Sequence, residues 1–217
     1  MSPTPEWFPD EITAPDLVDA MGRLHRHRCH ILDLVTPTPG RRMAGPAVTI
    51  SYFPTCDQGL DPASYNFTEL FYQAVGSDGE GTVLVLASNG YPETSLGGGT
   101  KLARAQKMGL AGVLSDGRLR DFDELAGFDF ATYCNGEATR WGGDAVTPYQ
   151  ANVPVVISQV GIHPGDFVFA DAHGALVIPA QQVRDVVDEA MRVNEEDRSS
   201  LKAIADESPL GGERERH

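Results

Sequence analysis

The chain has 217 residues, of which 41% are hydrophobic, 22% charged and 8% aromatic, the profile of an ordinary globular protein of one to one and a half domains. Asp and Glu number 31 against 17 Lys and Arg, a formal charge of −14 that repels phosphate backbones and argues against generic nucleic-acid binding. A small anionic substrate stays open, because one arginine and a metal ion can reverse the field inside a pocket.

No apolar run approaches the ~18–20 residues that span a bilayer, so no membrane partner is expected. The opening MSPTPEWFPDEI is acidic and Pro-rich and reads as neither a secretory nor a transit segment. The cysteines Cys29, Cys56 and Cys134 form no CxxC and suit free thiols in a reducing cytoplasm.

In chain order, residues 1–11 read as an N-terminal tail. Thr13-Ala14-Pro15-Asp16 then starts a helix with a capping-box pattern that runs through Leu17, Val18, Met21 and Leu24 toward His25. Residues 36–45 read as loop, 47–51 as a strand, and 54–61 as loop again. Phe67, Leu70, Phe71 and Ala74 carry helical spacing. After a turn at 76–81, TVLVLAS (82–88) is the unbroken apolar run of a buried strand. A Gly-rich stretch leads into a helix over 100–108, which Gly109 can end in a left-handed conformation. Strands follow at 111–114 and 130–134, separated by DGRLRD and a short helix near 121–126. Further strands at 153–157, 167–170 and 175–178 are joined by tight turns. The last helix begins near Gln181 with an inward stripe of Val183, Val186, Val187, Ala190 and Met191. Residues 206–217 read as a polar tail. Helices alternate with strands up to about 134 and strands dominate afterwards, which predicts one mixed α/β domain over 12–205.

The stretch with chemical content is Gly97-Gly98-Gly99, a helix, and then Asp116-Gly117-Arg118-Leu119-Arg120-Asp121. A glycine turn entering a helix presents free N–H groups and the positive end of the helix dipole, an anion cradle. The strand after that helix delivers Arg120 and Asp121 to its carboxyl end, where sites of open α/β sheets collect. Arg120 offers a planar fork for a carboxylate, and Asp121 a hard oxygen for Mg²⁺ or Mn²⁺. Together they describe a place to bind a 2-oxo acid and stabilise its enolate. The bland alternatives are a flexible glycine loop, an Asp121 that caps the following helix, and a solvated Arg120.

GPAVTI (45–50), GTVLVLAS (81–88), the glycine turn, GLAGVLSDGRLRD (109–121), NVPV (152–155) and HPGDFVFADAHGALVIP (163–179) occur in that order. With Asp19-Ala20-Met21 they resemble the RraA-like family, which holds regulators of ribonuclease activity and class II aldolases acting on 4-hydroxy-4-methyl-2-oxoglutarate and 4-carboxy-4-hydroxy-2-oxoadipate. The resemblance implies an α/β fold, a three-layer β/β/α sandwich of the swivelling phosphohistidine-domain type. It also implies a homotrimer, or a hexamer of two trimers, with sites at subunit interfaces. By that resemblance Arg120 binds the substrate and stabilises enolate charge, Asp121 holds the divalent metal, and backbone amides of Leu96, Gly97, Gly98, Gly99 and Thr100 bind pyruvate oxygens. The implied reaction is retro-aldol release of pyruvate, with oxaloacetate decarboxylation through the same enolate. The family also leaves open a non-catalytic regulator that binds a protein partner through its acidic surface, and a member adapted to another metal-assisted step.

Three positions depart from the family. The aldolases carry an acidic residue where this chain has Gly99, with Asp116 and Asp123 as candidates to replace it. The loop NGEATRWGGD (135–144) stands where a shorter basic turn is usual, so that Glu137, Arg140 and Trp141 either shape a different pocket or form an ordinary packed loop. Arg118 stands where a cysteine is common. Elsewhere, His25/Cys29 and His27/His30 have helical ligand spacing, but cationic side chains at a helix C-terminus are also what its dipole favours. His163 and His173 read as turn residues. SLGGGT is not GxGxxG, which argues against a nucleotide or S-adenosylmethionine cofactor.

Overall fold

The computed structural model describes residues 5–24, 28–56 and 59–207, and its first helix starts where Thr13 and Asp16 place it. The Thr13 backbone N–H and hydroxyl both donate to Asp16 Oδ2 at 2.8 Å, and the Ala14 amide, an orphan of the first turn, donates to Asp171 Oδ2 at 2.9 Å. The elements in order are α1 (Ala14–Leu24), β1 (His30–Ile31), β2 (Met43–Pro54), α2 (Phe67–Val75), β3 (Val83–Ala87), β4 (Ser95–Gly97), α3 (Gly99–Lys107), β5 (Gly112–Ser115), β6 (Arg118–Leu119), α4 (Phe122–Ala126), β7 (Ala131–Tyr133), β8 (Val146–Ala151), β9 (Val155–Ile157), β10 (Val160–Ile162), β11 (Phe167–Asp171), β12 (Gly174–Ile178) and α5 (Val183–Ala205).

An eight-stranded sheet runs β1-β12-β11-β2-β3-β5-β7, with β8 also on β2. Its β2-β3-β5-β7 half is parallel and its β1-β12-β11-β2 half antiparallel. Strand alternation sorts the side chains into layers. Even-numbered β2 residues Ala44, Ile50 and Tyr52 face the helices, with α2 and α3 over one half of the sheet and α1 and α5 over the other. Odd-numbered Met43 and Ala47 face the opposite side, where the β9–β10 hairpin packs Val155, Ile157, Val160 and Ile162 against them. Helices, large sheet and small sheet make a mixed α/β fold of the expected class.

Several boundaries differ from the sequence expectation. β2 starts at Met43, not Ala47, because its first residues pair with β11 and its last with β8. β8, β10 and β1 go unannounced in the sequence: β8 is an edge strand carrying Pro148, and β1 is two residues long. The 36–45 and Gly-rich loops therefore each give up residues to strands. In α5, Met191 is 37% exposed and Val193 takes the inward place beside Val186, Val187 and Ala190. Ahead of α1, Phe8 is buried and stacks on Phe167 and Phe169 at 5.8 and 5.2 Å. Residues 208–217 of the expected tail lie outside the described residues. No helix of the described residues is long and apolar enough to cross a membrane.

Candidate active site

β5 delivers the chain to the site at its carboxyl end, where the Ser88 amide donates to Asp116 Oδ1 at 2.6 Å and ties the ends of β3 and β5 together. Burial pushes the Asp116 carboxyl above its usual range. β6 then pairs in parallel with β4, Ser95 opposite Arg118 and Gly97 opposite Leu119. The glycine turn is not a flexible surface loop. Tyr52 donates its hydroxyl to the Leu96 carbonyl at 2.5 Å, and the Gly97 carbonyl accepts from Ser95 Oγ at 2.8 Å and from the Arg120 amide at 3.0 Å. Leu96, Gly97, Gly98 and Gly99 are all buried; the Leu96 side chain belongs to the core, and Thr100 is exposed.

Asp121 sits in the left-handed region at φ 62° and heads α4, its carbonyl accepting from the Glu124 and Leu125 amides at 3.0 and 2.9 Å. Aspartate tolerates this conformation better than most residues, and strain of this kind collects at functional sites. Its carboxylate does not cap α4. It crosses to α3 and accepts from the Gly99 amide at 3.0 Å, while Glu137 Oε1 takes the Phe122 amide of α4 at 3.1 Å. A negative charge thus sits at the N-terminus of α3, where the helix dipole favours it. Glycine at 98 and 99 gives the Asp121 and Glu124 carboxylates the space they occupy. A Cβ on Gly98 would come within 2.5 Å of Asp121 Oδ2, and one on Gly99 would run into the Glu124 carboxylate. Glu124, rather than Asp116 or Asp123, therefore fills the volume into which a side chain at residue 99 would project.

Arg120 is half-buried and lines a narrow slot with Ser95, Gly97, Lys101, Trp141 and Gly142. Lys101, on the first turn of α3, has its ammonium pushed below the usual lysine value, first by burial and then by the charges of Arg120 and Arg104. Arg118 is engaged elsewhere: its Nε donates to Glu93 at 2.7 Å and its Nη1 to the Glu137 carbonyl at 3.2 Å. Sequence reasoning missed Lys101 and Glu124. For Glu124 the signal was there, since it stands three residues after Asp121 and so on the same helical face.

Among the described residues no three His, Cys, Asp or Glu side chains gather into a metal-binding cluster. His25 and His27 lie outside the described residues; His163 and His173 are turn residues, as expected, each with its backbone amide donating to a neighbouring aspartate. Hard carboxylate oxygens from Asp121, with Glu124 beside it, fit Mg²⁺ or Mn²⁺, which take one or two protein carboxylates and leave the remaining positions to water and substrate. They do not make a closed zinc site.

The fold and the Arg-Asp turn define an RraA-like protein: the sequence profile of that family (Aldolase/RraA) matches residues 14–177, and the chain belongs to it. Protein DlpA of Legionella pneumophila is 27% identical over 185 residues, which cover 85% of this chain and 29% of that protein. A Halalkalibacterium halodurans protein provisionally named a 4-hydroxy-4-methyl-2-oxoglutarate aldolase is 31% identical over 126 residues, 58% of this chain and 60% of its own length. The chain thus spans less than two thirds of either relative. The solved structure of Streptomyces coelicolor RraAS2, described as an unusual member of the RNase ES inhibitor RraA family, shares the fold with a TM-score of 0.77 at 23% identity, covering 88% of this chain and 93% of that one.

Proposed function

We propose that the protein is a divalent-metal-dependent carbon–carbon lyase acting on a 2-oxo acid, in the manner of an aldolase or oxaloacetate decarboxylase. The observation that carries this reading is the Asp121 carboxylate bound to the Gly99 amide, next to Arg120 at the end of β6. Arg120 binds the substrate carboxylate as a planar fork, and the first-turn N–H groups of α3 that Asp121 leaves free, those of Thr100 and Lys101, donate to the oxygens of the 2-oxo acid. As the C3–C4 bond breaks, charge grows on the 2-oxo oxygen, and fixed donors in a partly buried slot stabilise it without reorganising. Glu124, standing over Gly99, accepts the proton of the C4 hydroxyl directly or through water. A cation held by Asp121 supplies Lewis acidity toward the 2-oxo group when bound.

The working unit in this reading is a homotrimer or hexamer with interface sites. Exposed Leu32, Val35 and Val156, at 53, 44 and 61%, support a covering subunit. Free thiols, with Cys29 and Cys134 buried, support a reducing compartment. The test is pyruvate formation from oxaloacetate and 4-hydroxy-2-oxo acids with Mg²⁺, Mn²⁺ or EDTA. Metal-dependent pyruvate release that Asp121→Asn cuts by about 10²–10³-fold is the expected result; no release above that variant overturns the lyase. The charge of −14 and the fold shared with RraAS2 favour a protein-binding regulator as the second reading. Pull-down of a partner by wild type and Asp121→Asn alike, without pyruvate release, would select it.

A further inference from the structure

The Arg120 slot adjoins a much larger cleft. Ser95, Lys101, Trp141 and Gly142 form walls of both, and the cleft has a volume of about 600 Å³. That is within the range of sites that bury drug-sized molecules and far exceeds what a three-carbon acid fills. Its walls include Tyr52, Leu60, Tyr65, Phe67 and Trp141. Of the polar groups on the walls, the Tyr52 hydroxyl is given to the Leu96 carbonyl and Thr55 Oγ1 to the Gly143 carbonyl at 3.2 Å, while the Tyr65 hydroxyl and the Trp141 indole N–H add neutral polar edges to aromatic faces. Lys101 is the one charged residue lining the cleft among the described residues, and it stands at the junction with the slot, its Nζ 5.3 Å from the centre of the Phe67 ring. Tyr65 is held in place by stacking on Tyr149 at 5.7 Å. Among the described residues the outer part holds no charged group beyond Lys101 at its inner end, whereas a flat apolar group would find aromatic faces.

Resting on the 2-oxo acid reading above, we propose that this cleft takes the substrate's tail and that the tail is aromatic or an alkyl group of comparable bulk. The head stays on Arg120 and the α3 amides, Lys101 marks the boundary between head and tail, and Tyr65, Phe67 and Trp141 grip the ring.

Isothermal titration of the full chain with phenylpyruvate and with pyruvate, in Mg²⁺, tests this without needing turnover. Burial of a phenyl group predicts that phenylpyruvate binds at least about tenfold tighter. Tyr65→Ala and Trp141→Ala each bring the ratio of the two dissociation constants toward one. Taken within each variant, that ratio cancels changes in head binding or folded fraction. A wild-type ratio near one, or a ratio that survives both substitutions, overturns the proposal. Arg120→Met separates it from the reading it rests on. If that variant weakens both acids while the ratio persists, both readings stand. If it weakens neither, the head assignment fails and the ratio alone still judges the cleft. Heat from neither acid with wild type overturns both.

Discussion

Around Phe169, the interior between α1, α5 and the β11–β12 hairpin is filled mainly by apolar side chains, with polar ties such as Ala14–Asp171 and Arg23–Glu189 at its margins: Leu17, Met21, Leu176, Ile178 and Val186 are each at most 1% exposed. Around Asp121, by contrast, β4, α3, β6 and α4 are short, and they are joined by backbone amides, one carboxylate and glycines in close approach. The first region draws its stability from buried area, which is non-directional and tolerates substitution of similar volume. The second draws its shape from hydrogen bonds, which are directional and fix which atoms face each other. A site is better built from the second kind, and can be built there because the first holds the molecule together.

Four measurements can break or sharpen that contrast. Phe169→Ala removes a fully buried ring stacked on Phe8 and lying 5.0 Å from the Arg42 guanidinium; a loss of roughly 3–5 kcal/mol in denaturant unfolding is expected, with pyruvate release per folded molecule unchanged. Asp121→Asn keeps an acceptor for the Gly99 amide but loses the charge. It should cost about 10²–10³-fold in turnover and little in melting temperature. Glu124→Gln should lower kcat by about 10²-fold while KM holds; an unchanged kcat would leave Glu124 as space-filling only. Finally, Lys101 titrates below the usual lysine value of 10.5. The charged form that attracts the substrate is lost as pH rises through that lowered value, so KM should climb a few-fold at a pH below 10.5, within the modest worth of a partly exposed ion pair. Lys101→Met should flatten the profile.

What the sequence made legible is local. The Thr13–Asp16 cap, the Phe67–Ala74 periodicity, the TVLVLAS run and the left-handed Gly109 at φ 68° each depend on neighbours a few residues away. β4, β6 and β8 escaped because their partners lie far along the chain and their own patterns are two to six residues long. In β8, Pro148 faces Tyr52 beside a bulge at Ser51/Tyr52, a setting that no local propensity announces. The site divides the same way. Arg120 and Asp121 stand a few residues past β5, a strand the sequence announces, whereas Lys101 and Glu124 enter only once α3 and α4 pack side by side. The alternative of Asp121 capping its own helix was chemically sound and fails for one reason: the left-handed turn at Asp121 aims the carboxylate at the neighbouring helix.

The glycine at 99 changes how this chain should be ranked among its relatives. By the resemblance to the family's aldolases, an acid is expected at that position. In space, the Glu124 carboxylate already occupies the volume that a side chain at residue 99 would enter. Placing an acid there by Gly99→Glu is therefore no simple gain. It would crowd two carboxylates into one volume and set like charges against each other, and the rational change would be a double exchange, with Glu124 made small at the same time.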